Sequence, residues 1–314
     1  PVNDTKDPIV RDDLALNAPQ KPLIMGGGIV GLMVLAYLLA TQHISQSLLL
    51  GIGLLLGYTL FHARFGFTSA FRRMMAVGNG QAMRSHMLML AVAVTLFAPI
   101  LAYGTTLFGG PVAGYVAPLG VSLVVGAFVF GIGMQLGGGC ASGTLYAVGG
   151  GRSVMFITFI FFIVGATIGA YHLPFWTEEM PAYAPFSLAT STGLGYTGAW
   201  LVSLAIFGII AWVTLVVEKK RNAPKMAPVP SESGWKRIFR GSWPLFSAAI
   251  VLALLNGLTL LTRGQPWGIT SAFTLWGSKI ASGFGMNVAS WGYWQGANAA
   301  ALEASIFADS TTVL

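Results

Sequence analysis

The chain has 314 residues, of which 55% are hydrophobic and only 9% are charged. Soluble domains carry about 25% charged residues, so this composition excludes an ordinary soluble protein and predicts a polytopic membrane protein. A net charge of +7 would suggest nucleic-acid binding in a soluble chain, but the basic residues here cluster in short loops between apolar runs. That pattern is typical of membrane topology, so we expect membrane lipid and no nucleic acid around the chain.

The apolar runs predict an all-α protein, because each is about 20 residues long and so matches the bilayer core. Residues 1–22 are polar and lack an apolar segment, which predicts a cytoplasmic N-terminal tail and no cleavable signal peptide. We expect spans near 23–42, 46–62, 87–108, 115–136, 153–173, 197–217 and 243–262, a half-helix near 268–282, and the start of another span near 298–314.

The charges of the loops predict the orientation of these spans. Loop 62–86 and linker 219–242 are rich in Arg and Lys, which places both in the cytoplasm by the positive-inside rule. Loop 174–196 has two Glu residues and no Lys or Arg, so we expect it outside. The linker then separates a first transmembrane half, 23–218, from a second half, 243–314, which looks incomplete at its C-terminal end.

A glycine-rich segment at 131–151 interrupts the apolar pattern and contains the single cysteine of the chain. Glycine at this density disfavours a regular helix, and broken backbone in a bilayer is tolerated where it is buried or lines a cavity. The alternative is that the glycines only permit tight helix packing and that the cysteine is a small buried hydrophobe. The candidate substrate-path residues here are Gly138, Gly139, Cys140, Ser142 and Gly143.

A second pattern occurs twice, once in each half. The shared pattern is Gly-x-Thr-Leu, then Arg, then Gly-x-Thr-Ser-Ala-Phe, at 57–71 and at 257–273. By the predicted topology the two copies end spans on opposite sides, which predicts an inverted repeat with a site near the bilayer midplane. The candidate path residues in the two copies are Thr68, Ser69, Thr270 and Ser271.

The repeat also predicts where a second cysteine would lie in the sequence. Because Thr68 corresponds to Thr270, a counterpart of Cys140 would fall beyond Leu314. We therefore expect either that the natural chain continues or that its second half is degenerate.

The remaining motifs give no indication of an enzyme. Arg64, Arg72 and Arg73 could attract anions, although they could equally be topology anchors. Residues 26–31 fit G-x-G-x-x-G, but no acidic residue occurs between 14 and 177 to bind a ribose, so we interpret these glycines as helix-packing residues. We find no catalytic constellation and no metal-ligand spacing, and we expect no cofactor.

The motifs at 64–72 and 138–143 resemble the YeeE/YedE family of sulfur-compound transporters. The resemblance implies an inner-membrane, all-helical transporter with inverted repeats, whose short broken or re-entrant helices meet near the midplane. It implies uptake of a sulfur oxyanion such as thiosulfate, passed inward by S–H contacts with cysteines. Of the cysteines that the resemblance implies, this chain has only Cys140. The corresponding positions in the repeat hold Gly66 or Phe67 in the first copy and Gly268 and Ile269 in the second.

Our first hypothesis is a transporter in the bacterial inner membrane for a small sulfur-containing anion, with its N-terminus in the cytoplasm. No coupling residue is evident, which favours trapping of the anion by a cytosolic sulfur-carrier protein. The alternative is a non-transporting accessory or structural subunit of a larger membrane complex. The expected path runs from Thr270 and Ser271, past Cys140 and Ser142, to Thr68, Ser69 and the arginines.

Overall fold

The computed structural model describes residues 21–226, 234–239 and 241–314. Seven helical stretches among these residues are long and apolar enough to cross a membrane. The chain is thus an all-α polytopic membrane protein, which confirms the predicted fold class. Most of the expected N-terminal tail, 1–20, and the Pro-rich part of the linker, 227–233, lie outside the described residues.

The helices follow the apolar runs within a few residues, because helix length is set by the same runs that must cross the bilayer. Residues 298–314 differ from the expectation, since they form short turns and two short helices. The helices are α1 (Lys21–Thr41), α2 (Ile44–Ala63), α3 (Phe67–Val77), α4 (Gln81–Tyr103), α5 (Val121–Leu136), α6 (Ala141–Gly149), α7 (Ser153–Pro174), α8 (Gly195–Lys220), α9 (Lys236–Phe239), α10 (Leu245–Arg263), α11 (Ile269–Gly283), α12 (Ala299–Glu303) and α13 (Ser310–Val313). Two short strands, β1 (Leu119–Gly120) and β2 (Ala182–Tyr183), pair antiparallel.

Three of these helices are followed by a break and a shorter helix: α2–α3, α5–α6 and α10–α11. Each break turns the chain through the left-handed region, at Arg64 with φ 47°, at Gly138 with φ 76° and at Gly264 with φ 81°. Glycine adopts this conformation without penalty, whereas a side chain at such a position costs about 1 kcal/mol. Arg64 therefore adopts a backbone conformation that is unfavourable for a residue with a side chain.

The core joins the two copies of the repeated pattern. Helix α10 begins beside the end of α2, where the Trp243 amide donates to the His62 carbonyl at 3.1 Å, and the two helices pack antiparallel. Thr59 and Thr259 are both buried, and each donates its hydroxyl to the carbonyl four residues earlier, at 2.8 and 2.9 Å. The copies therefore adopt the same local structure at opposite ends of one helix pair.

Helices α4 and α8 form a second antiparallel pair, which brings the basic stretches together. Near one end Arg84 pairs with Glu218 at 2.6 Å, and further along Trp200 donates its indole N–H to Thr95 at 2.9 Å. At the Arg84 end the Asn79 amide donates to the Pro224 carbonyl at 2.8 Å. Loop 62–86 and the start of the linker thus lie on the same side of the molecule.

The glycines at 26–31 lie inside α1 and do not form the turn of a nucleotide-binding strand and helix. A Cβ placed at Gly26, Gly27, Gly28 or Gly31 would meet nothing within 4 Å. In the described part of the chain the expected helix packing at these glycines is therefore wrong. They face outward on a helix whose apolar side chains are largely exposed, as Leu32 is at 67%.

Candidate functional site

The glycine-rich segment forms a break that sets Cys140 at the start of α6. Gly138 makes the left-handed turn, and Cys140 is the extended residue that precedes the first turn of α6. Its side chain is half-buried, and its sulfur lies 3.5 Å from the Ser142 hydroxyl. The thiol and the hydroxyl therefore lie together at the positive end of a helix.

Two glycines let the backbone approach closely around this thiol. A Cβ at Gly139 would lie 3.2 Å from both the amide and the hydroxyl of Thr144, and a Cβ at Gly143 would lie 3.4 Å from the Cys140 sulfur. The Thr144 hydroxyl is fully buried and has no partner among the described residues. Sequence reasoning missed Thr144, because only the fold shows that its side chain turns back toward the break.

Helix α6 lies between both copies of the repeat, since it packs on α2, α7 and α11. A Cβ at Gly66 would lie 3.4 Å from the Tyr146 hydroxyl, so the first break directly adjoins α6. A cavity of about 500 Å³, here named the α2–α6 cavity, opens between these helices. Its lining residues include Gly53, Gly57, Phe61, Ser142, Tyr146 and Trp267.

Gln135, at the end of α5, joins the first break to the second. Arg72 donates to the Gln135 side-chain oxygen at 3.2 Å and to its backbone carbonyl at 2.9 Å. The Gln135 amide in turn reaches the Thr68 carbonyl at 3.4 Å. We name this group the Arg72–Gln135 clamp. The Arg72 side chain thus links α3 to α5 by hydrogen bonds. The Thr68 hydroxyl is buried and has no hydrogen-bond partner among the described residues.

The other two arginines line a separate polar cavity of about 330 Å³, here named the linker-side cavity. Beside the break, Phe65 stacks on the His86 ring with 4.2 Å between ring centroids, which anchors this loop on α4. The cavity residues that carry polar or charged side chains are Arg64, Ser69, Arg73, Gln81, His86, Arg237 and Ser242. Arg237 comes from α9 in the linker, and no pattern in the sequence pointed to it.

The second copy has a different environment. Ser271 donates to the Gly268 carbonyl at 2.6 Å and lies 3.2 Å from the Thr311 hydroxyl of α13. Thr270 faces away, into a cavity of about 440 Å³ between α7 and α11 that Tyr293 also lines. Burial raises the pKa of the Tyr293 phenol. Thr270 thus lines a different cavity from Ser142.

The three breaks share one electrostatic property. The helices that follow them, α3, α6 and α11, have no acidic residue in their first turns and no side-chain cap on their first amides. Uncompensated helix starts carry partial positive charge and bind anions. The site is therefore suited to a small anion that meets a thiol, hydroxyls and backbone amides, and it defines a polytopic membrane protein with broken helices.

Comparison with known proteins agrees with this class. Residues 62–311 match the family model described as sulphur transport, so the chain belongs to the sulphur transport family. This finding confirms the resemblance noted in the motifs.

Two relatives are named as thiosulfate transporters. The chain is 26% identical over 236 residues to the thiosulfate transporter TsuA of Spirochaeta thermophila, covering 69% of this chain and 64% of that protein. It is 29% identical over 208 residues to TsuA of Escherichia coli K12, covering 65% of this chain and 56% of that protein. The chain thus spans less than two thirds of the length of either relative.

Proposed function

We propose that this protein carries a small sulfur oxyanion, with thiosulfate as the first candidate, across the bacterial inner membrane. The observation that carries the proposal is the break at Cys140, which places a thiol at an acid-free helix start directly beside the first break. A soft thiol donor suits a soft terminal sulfur, and helix-start amides suit oxyanion oxygens. The relatives named as thiosulfate transporters support this choice.

The proposed path runs between the helix breaks of the two repeat copies. We place the N-terminus and the linker in the cytoplasm, because the basic loop and the linker share one side of the molecule. The anion enters near Ser271, passes Cys140 and Ser142 beside the α2–α6 cavity, and leaves past Ser69. Since Cys140 is the single cysteine of the chain, the other contacts along this path come from hydroxyls and backbone amides.

The driving force must be supplied from outside this site. A dianion entering a cell with a negative interior climbs about 2.3 kcal/mol per charge for each 100 mV of potential. The first turns of α3, α6 and α11 carry no acidic residue that could couple protons to this movement, and Asp309, which is linked to Ser271 through Thr311, is held by hydrogen bonds from Thr311 and Thr312. We therefore propose that the cytoplasm traps the anion, with a soluble sulfur-carrier protein docking on the basic linker side.

Radiolabelled thiosulfate uptake tests the proposal in a strain that lacks other importers. We expect uptake by the wild type, a loss of at least tenfold for Cys140→Ala, and near-normal uptake for Ser203→Ala on α8, which is the matched control. Equal inactivity of wild type and Cys140→Ala, with both proteins present in the membrane, would contradict transport. In that case the accessory-subunit function, tested by co-purification of partner chains, takes its place.

A further inference from the structure

Among the described residues, the lining of the linker-side cavity has three positively charged side chains and no carboxylate. Arg64, Arg73 and Arg237 all line this cavity of about 330 Å³. Within the described residues the ion pair that forms is Arg84–Glu218, so no described carboxylate pairs with these three. Like charges around one cavity repel, and an anion bound among them would offset that repulsion.

The three guanidinium groups come from different parts of the chain: the end of α2, α3 and the linker helix α9. Arg73 donates to the Met226 sulfur at 3.3 Å, which is a weak acceptor. Arg237 donates its Nε–H to the Ser242 carbonyl at 3.0 Å, and among the described residues its terminal nitrogens have no hydrogen-bond partner. Arg64 stands at the end of α2 in the left-handed conformation that turns the chain into the cavity wall.

The linker is fixed to α2 by two hydrogen bonds just after Arg237, which hold this residue near the end of that helix. The Tyr58 hydroxyl donates to the Ile238 carbonyl at 2.7 Å, and His62 donates to the Gly241 carbonyl at 2.9 Å. Because α9 is held in this way, the Arg237 side chain is positioned against the end of the first repeat. The cavity is therefore built jointly by the first transmembrane half and the linker.

We infer that the linker-side cavity is a binding site for a tetrahedral oxyanion with two negative charges, and that Arg237 completes it. Guanidinium groups donate two parallel N–H bonds to oxyanion oxygens, and the amides at the start of α3 add further donors. In the transport cycle, which rests on the proposed function, this site holds the sulfur anion after it passes Cys140 and before release. The linker thus contributes to substrate retention as well as joining the halves.

Calorimetric binding of thiosulfate to the purified chain in nanodiscs of zwitterionic lipid tests the inference. We expect Arg237→Gln to weaken binding at least tenfold, Arg237→Lys to weaken it less, and Lys236→Gln, its neighbour on α9 that does not line the cavity, to leave it unchanged. Equal affinities of Arg237→Gln and Lys236→Gln would overturn the inference, whatever the uptake assay shows. Binding that depends on Arg237 without any uptake would instead contradict transport and leave this site standing.

A second measurement uses the wild-type chain and so does not depend on the folding of a variant. Phenylglyoxal labels accessible arginines, and mass spectrometry locates the labels. We expect thiosulfate to protect Arg73 and Arg237 and to leave the exposed Arg152 reactive. Protection that anionic lipid produces and thiosulfate does not would assign the site to a lipid headgroup, and this result would overturn the inference.

Discussion

Ser69 and Ser271 make the same hydrogen bond in the two halves of the chain. Each hydroxyl donates to the carbonyl of the glycine three residues before it, Gly66 at 2.8 Å and Gly268 at 2.6 Å. Each glycine precedes the first turn of a half-helix, so the two serines fix the entry of α3 and α11 after their breaks. The repeat in the sequence therefore corresponds to a repeated local structure.

The first prediction concerns these serines. Ser69→Ala and Ser271→Ala should each lower the free energy of unfolding by about 1 kcal/mol, since each removes one hydrogen bond. Because the sites lie at opposite ends of the α2–α10 pair, the double variant should show the sum. Thermal unfolding in detergent measures the stability, and thiosulfate uptake should fall for both. Ser203→Ala, which loses a similar bond to the Ala199 carbonyl on α8, should keep its uptake.

The second prediction concerns the close approach at Gly139. A methyl group there would lie 3.2 Å from the Thr144 amide, which belongs to the backbone and cannot swing away. Gly139→Ala should therefore displace α6, cost about 1–3 kcal/mol of stability and reduce uptake at least tenfold. Gly149→Ala is the matched control, because a Cβ at Gly149 would meet nothing within 4 Å. Equal behaviour of the two variants would contradict the close packing described at the break.

The third prediction concerns the Arg72–Gln135 clamp. If Arg72 holds α3 against α5, then Arg72→Gln and Gln135→Leu should be non-additive, with a coupling energy of about 0.5–2 kcal/mol in a double-mutant cycle. Thermal unfolding of the four proteins gives this energy. Additive effects would show that the hydrogen bonds do not stabilise the pair. Arg152→Gln, an exposed arginine at the start of α7, should leave stability unchanged.

The helix breaks could be predicted from sequence because their cause is local. Glycine density at 137–139 and the repeated Gly-x-Thr-Ser-Ala-Phe pattern both disfavour continuous helix within an apolar run. The contacts of the site could not be predicted, since Thr144, Gln135 and Tyr146 reach it through packing between distant segments. Likewise, a basic linker predicts a side of the membrane, but not that Arg237 lies in a cavity with Arg64. Residues 298–314 do not form one continuous helix, because Ser305 and Asp309 cap the starts of new helical turns there.

The central claim, that the anion passes the break at Cys140, has a direct test in the single cysteine of the chain. A charged, membrane-impermeant methanethiosulfonate reagent can label only Cys140 in the wild type, and mass spectrometry gives the rate. A control places the cysteine elsewhere, as Ser153→Cys in a Cys140→Ser background, at an exposed residue away from the proposed path. We predict that thiosulfate slows the labelling of Cys140 at least tenfold and leaves the control unaffected. A Cys140 that the reagent never reaches, or that reacts at the same rate with and without thiosulfate, would contradict the account.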